Sequence, residues 1–215
     1  MPGEKDPPDR YLRAGPVTGG EASMVSVGCR RPIRPVVLRD GTSVTLRDIR
    51  PEDESALTAL YERLSPQTAY QRFFTVMRRL PPNWGHILAN VDYDRRMAIV
   101  ALGPDGPLIG VARYIYDDPS QEAEIAIVIE DPWQGRGLGT LLLGELLGYA
   151  EGKGIRRFRA YVLADNVRML KLLRRGTRIV ERKLDSGVLS LLLAPLERSE
   201  SAAKTGDAPS LPASC

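Results

Sequence analysis

Three glycines alternate at Gly135, Gly137 and Gly139 within EIAIVIEDPWQGRGLGTLLLGELLGYAEGKG, residues 124 to 154, and a leucine-rich segment begins on top of them. Glycine ahead of a helix permits a specific chemistry. Without a Cβ, backbone amides approach an anion directly, and the helix start adds unpaired N–H groups and partial positive charge. The dipole contributes about 0.3–1 kcal/mol, up to ~2 kcal/mol when partly buried, so direct amide hydrogen bonds must supply the rest. A diphosphate is a natural guest. The competing use of such glycines is to shape a tight strand-to-helix turn.

Two common nucleotide loops do not fit. A P-loop closes on Gly-Lys-Ser/Thr, whereas Gly139 is followed by Thr140 with no lysine. A dinucleotide fingerprint needs glycine at its first, third and sixth positions, and counting from Gly135 the sixth is Thr140. That fingerprint also sits tight against its strand, whereas DPWQ separates Glu130 from Gly135.

The elements around this loop follow from periodicity. Period-2 patterning predicts strands at 43–49, 97–102, 110–116, 123–130 and 155–163, with two more flanking Asp185-Ser186-Gly187. Short turn-rich connections suit an antiparallel meander in the middle of the chain. Helices are expected over 51–65, with Pro51 in the first turn, and over 65–74, capped by Ser65. A third is expected within NWGHILANV. A helix over 137–152 buries Leu138, Leu142, Leu146 and Ala150 in one stripe, and another over 166–175 ends at Gly176. The expected class is α+β: a mixed sheet flanked by helices.

Composition sets the outer limits. The chain has 215 residues, 43% hydrophobic and 27% charged, as expected for one globular domain with tails. Residues 1–34 and 197–215 read as disordered tails around a domain at 35–196. A net charge of +3 is too mild to point to nucleic acid. Cys29 and Cys215 make no disulfide or metal framework, and one histidine, His86, leaves little to build a metal site from; no metal is expected. No signal peptide opens the chain. The apolar run 138–147, interrupted by Gly144 and Glu145, falls short of the ~20 residues of a membrane span. The plain expectation is a cytoplasmic protein without membrane contact.

Gln134-Gly135-Arg136-Gly137-Leu138-Gly139 resembles the Gln/Arg-x-x-Gly-x-Gly/Ala loop of the GNAT (Gcn5-related) N-acetyltransferases, here in the family's order of strand, loop, helix, strand and helix, over about residues 42–195. LSPQTAYQRFF, AEIAIVIEDPWQGRGLG and GIRRFRAYVLADN further resemble the catalytic domain of bacterial Pat-type protein lysine acetyltransferases. The resemblance implies the GNAT fold and acetyl-CoA as co-substrate. It also implies a protein lysine acceptor, an acyl-CoA synthetase being one such protein. Small-amine acetylation and non-catalytic acyl-CoA sensing are the competing functions. The chain is too short for the cyclic-nucleotide-binding or synthetase modules fused in some members, so regulation of that kind is not expected.

Roles carry over residue by residue. The resemblance makes Glu124 the general base, ten residues before Gln134 as in the Pat strand. Alternation agrees, placing Glu124 in line with Ala126 and Val128, where a lone carboxylate is partly desolvated and raised in pKa. Glu122 and Glu130 flank it as ordinary alternatives. Ile127, Val128 and Ile129 would pair with the pantetheine amides. Gln134 opens the diphosphate loop; the amides of Gly135, Arg136, Gly137, Leu138, Gly139 and Thr140 would take the diphosphate, with Arg136 adding charge. Asn166 would touch the pantetheine arm, cap the last helix, or both, although Asp165 suits the cap equally. Tyr70 and Arg72 are acceptor-side candidates, with Tyr70 equally suited to the core. Two departures stand out. Leu173 occupies the position seven residues after Asn166 where many members carry an acidic tyrosine, and Gly176 comes ten residues after Asn166 where eleven is usual.

Overall fold

The computed structural model describes residues 31–76 and 79–196. The expected tail at 197–215, most of the one at 1–34, and both cysteines lie outside the described residues.

Among the described residues, eight strands form one sheet in the order β1-β2-β3-β4-β5-β6-β8-β7. They are β1 (Arg34–Val37), β2 (Ser43–Asp48), β3 (Arg96–Leu102), β4 (Leu108–Asp117), β5 (Glu122–Ile129), β6 (Phe158–Leu163), β7 (Thr177–Asp185) and β8 (Val188–Pro195). The expected meander is present, with β3, β4 and β5 antiparallel in sequence. Strand β1 was not anticipated. It pairs antiparallel with β2 at the sheet margin and contains Pro35, which an edge strand tolerates because one side of its backbone needs no ladder bond. Just before it, Arg31, assigned to the tail from sequence, donates to Asp48 and Glu145.

Helices cover both faces. On one lie α1 (Glu54–Glu62), led in by a 3-10 turn at Pro51–Asp53, then α2 (Pro66–Phe73) and α3 (Trp84–Ala89). On the other lie α4 (Leu138–Gly152) and α5 (Val167–Gly176). The stripe predicted for α4 is completely buried: Leu138, Leu142, Leu146 and Ala150 are each 0% exposed. Ser65 caps α2 by accepting from Thr68 N at 3.2 Å. Asn166 caps α5 by accepting from Met169 N at 3.1 Å, which assigns the cap to Asn166 rather than Asp165. Helix α5 runs without interruption to Gly176, whose missing side chain admits Leu143: a Cβ there would stand 2.7 Å from Leu143 Cδ2.

The feature that matters most is the one parallel pairing among the described strands. Strands β5 and β6 meet at Ala123↔Phe158 and Glu124↔Arg159 alone, then part company. On its other side β5 stays in full register with β4 out to Gly110↔Ile129. The sheet therefore opens a wedge between β5 and β6, with the edge of residues 125–129 facing into it.

Candidate active site in the strand wedge

A cavity of about 370 Å³ occupies the mouth of the wedge. Ile127, Val128 and Ile129 line one wall, Gln134, Gly135, Gly137, Gly139 and Thr140 a second, and Asn166, Met169 and Leu172 of α5 a third. A smaller cavity continues deeper between the strands, lined by Glu124, Ala126, Tyr161 and Leu173. Both are bordered by Gln71, Arg72, Ile127, Asn166 and Met169, so the two adjoin.

The three glycines earn their places in different ways. Gly135 and Gly137 adopt φ of +79° and +95°, in the left-handed region that a Cβ disfavours. Gly139 has ordinary backbone but little room: a Cβ would lie 3.2 Å from Leu172 Cδ2 and 3.3 Å from Ile129 Cδ1. Turn shaping and an open amide surface are thus the same arrangement. Gly137 is the N-cap residue of α4, so the first-turn amides of Leu138 and Gly139 have no carbonyl a turn earlier in the helix to bond, whereas Thr140 N already donates to Gly137 O at 3.0 Å and is not the open donor expected from sequence.

Polar links hold the loop in place. Gln134 Nε2 donates to Ile129 O at 3.0 Å and Thr68 Oγ1 at 3.2 Å, while its Oε1 accepts from Arg168 Nη1 at 3.0 Å. One side chain thereby joins the end of β5, helix α2 and helix α5. Asp131 accepts from Ser65 N, Ser65 Oγ and Thr68 Oγ1. Burial alone would raise its carboxyl, but these hydrogen bonds outweigh it and hold Asp131 below the usual carboxylate value.

The three carboxylates of β5 and its end differ sharply in setting. Glu122 is buried and bonded by Arg157 and Arg159 at 2.8–3.0 Å. Burial would raise it; the two arginines prevail and lower it. Glu130 accepts from Arg63 at 2.8 Å. Glu124 is half-buried and lines the inner cavity. It is not the isolated carboxylate that strand alternation suggested, because the buried Arg72 lines the same cavity.

Some expected residues stand elsewhere. Leu138 is fully buried in the core below α4. Arg136 does not line either cavity; it ion-pairs with Asp40 at 3.0 Å and lies over the Trp133 ring at 5.0 Å. Tyr70 is 44% exposed and lines neither cavity, because α2 turns its neighbours Gln71 and Arg72 inward instead. His86 sits exposed on α3 within 3.2 Å of Glu54. Thr68, Gln71, Arg168, Lys171, Arg175 and Arg39 were not singled out from sequence, yet all line the outer cavity. The three basic residues of α5 had a readable signal, since 168, 171 and 175 share a helical face. Arg39 had none.

The chain matches the family model for an acetyltransferase (GNAT) domain over residues 43–176. Acetyltransferase Pat of Mycolicibacterium smegmatis is 37% identical over 158 residues, covering 72% of this chain and 46% of that protein. This chain therefore spans about half the length of that relative. Acetyltransferase PA5475 of Pseudomonas aeruginosa is 34% identical over 138 residues, covering 63% of this chain and 74% of the other. Among solved structures, the GNAT domain of S. lividans PAT superposes with a TM-score of 0.69 at 33% identity, covering 75% of this chain and 96% of that one.

Proposed function

The chain belongs to the GNAT acetyltransferase family, and from that premise we propose that it transfers the acetyl group of acetyl-CoA to lysine side chains of a protein, with Glu124 as general base. The observation that carries the reading is the wedge itself. It offers an unladdered strand edge at Ile127, Val128 and Ile129, a glycine loop at one end and a carboxylate at the other.

The fit to acetyl-CoA is physical. An extended pantetheine arm has amides that pair with an open strand edge as an added strand would. The loop amides and the start of α4 suit a diphosphate. Among the described residues, the outer cavity has Arg39, Arg72, Arg168, Lys171 and Arg175 on its walls and no Asp or Glu. When bound, acetyl-CoA supplies an acetyl thioester that an amine cleaves, releasing the thiol.

A lysine ε-amine has an ordinary pKa of ~10.4, so about 1 in 2,500 is neutral at pH 7, a cost of ~4–5 kcal/mol. Glu124 takes the excess proton of the acceptor nitrogen, directly or through water, as the nitrogen bonds to the acetyl carbon. Positioned bases of this kind contribute about 10²–10⁴-fold. Among the described residues Glu122 and Glu130 line neither cavity, which leaves Glu124 as the carboxylate on the inner one. Leu173 is buried on the inner cavity and offers no proton, so the departing thiolate takes one from elsewhere.

Among the described residues no helix is long and apolar enough to cross a membrane, which accords with an acceptor met in the cytoplasm, an acyl-CoA synthetase being one candidate. Acetyl-lysine proteomics of cells with and without the protein tests the acceptor class. New acetyl-lysine on defined proteins supports it. Label passing to polyamines or amino sugars and to no protein contradicts it.

A further inference from the structure

Arg39 lies in the turn between β1 and β2, ahead of the residues matched by the family model. The structure nevertheless lays it on the glycine loop. Its amide donates to Arg136 O at 3.1 Å. Its side chain passes beside Gly137, where a Cβ would meet Arg39 Cγ and Nε at 3.3 Å. The turn is braced by Leu38 N to Thr42 O at 2.8 Å and by Thr42 N to Asp40 Oδ1 at 3.0 Å. The same turn carries Asp40, which engages Arg136. One hairpin thus occupies the loop's own arginine and puts another in the cavity wall.

Lys171 and Arg175 of α5 line the same cavity. Among the described residues, neither these two nor Arg39 has a carboxylate partner, and no acidic side chain lines the cavity. A diphosphate linking two groups carries about two negative charges, and a helix start is already suited to it. Three further unengaged cations call for more anionic charge than that. A phosphate monoester adds roughly −1.5 to −2 at pH 7, with three acceptor oxygens.

We propose that Arg39, Lys171 and Arg175 seat the phosphate monoester on the ribose 3′ carbon of CoA, and that the β1–β2 hairpin is a specificity element selecting CoA over dephospho-CoA. The inference rests on the acetyl-CoA reading above and extends it to a segment ahead of the residues matched by the family model.

Isothermal titration of the full chain with CoA and with dephospho-CoA, at one fixed ionic strength, tests it. Wild type is expected to prefer CoA by about tenfold or more, as a charge-assisted phosphate contact would give. Arg39→Ala removes most of that preference by weakening CoA alone, Arg39→Lys retains much of it, and the Lys171→Ala/Arg175→Ala double variant behaves like Arg39→Ala. Arg39 is exposed, so its variants should melt as wild type does. Equal wild-type affinity for the two ligands overturns the proposal and leaves the acetyl-CoA reading standing. So does an Arg39→Ala loss that is the same for both, which would put Arg39 on the diphosphate. Failure of CoA to bind wild type at all removes the acetyl-CoA reading itself.

Discussion

Asp131 accepts two hydrogen bonds from Ser65, from its amide at 2.9 Å and its hydroxyl at 2.6 Å. The residue that leaves β5 is thereby bolted to the residue that caps α2. Because α2 also carries Arg72 and Gln71 into both cavities, this contact sets one wall of the site against the other.

Asp131→Asn should therefore destabilise the fold by about 1–3 kcal/mol, the cost of leaving buried donors poorly paired. It should also change the acid limb. The folded carboxyl protonates at lower pH than the unfolded one, so its stabilisation is fully present above the ordinary carboxylate value of ~3.9 and is lost as pH falls through the lower folded value. Denaturant melts across this range should show a shallower acid loss in Asp131→Asn than in wild type.

Glu122→Gln separates stability from chemistry. Its carboxylate is held by Arg157 and Arg159 and is lowered, so its stabilisation too is lost as pH falls below the ordinary carboxylate range. The variant should lose about 1–3 kcal/mol at neutral pH, seen in chemical denaturation. Its turnover number, measured where it remains folded, should be close to wild type.

Gly137→Ala tests the loop. At φ +95° a Cβ is strained by roughly 1–2 kcal/mol, and it would press on Arg39 at 3.3 Å. The variant should melt lower, by about 2–4 °C per kcal/mol for a chain of this size, and bind CoA more weakly. Unchanged CoA affinity would show that the loop does not carry the ligand.

Much of this was legible because it is local. The α4 stripe, the strands β3 to β5 and the Ser65 cap are written in consecutive residues, and the structure reproduces them, although β3 and most of β4 are buried on both faces rather than alternately. The wedge was not, since the parting of β5 and β6 after Glu124↔Arg159 depends on pairing between segments far apart in sequence. Strand β1 was hidden by Pro35 and its exposed position. Adjacency misled at the loop: Arg136 sits inside the motif but is taken by Asp40, while Arg39, nearly a hundred residues earlier, reaches the cavity. Leu138 belongs to the motif by position and to the core by side chain.

The central claim is that Glu124 takes the acceptor proton. Its most direct test is the initial rate of acetyl transfer at pH 7 by Glu124→Gln, on a protein acceptor identified by proteomics, with CoA affinity measured on the same preparation. The rate should fall by about 10²–10⁴-fold, while CoA binds as tightly as to wild type. A wild-type rate in Glu124→Gln at pH 7 would contradict the account and take Glu124 out of the mechanism.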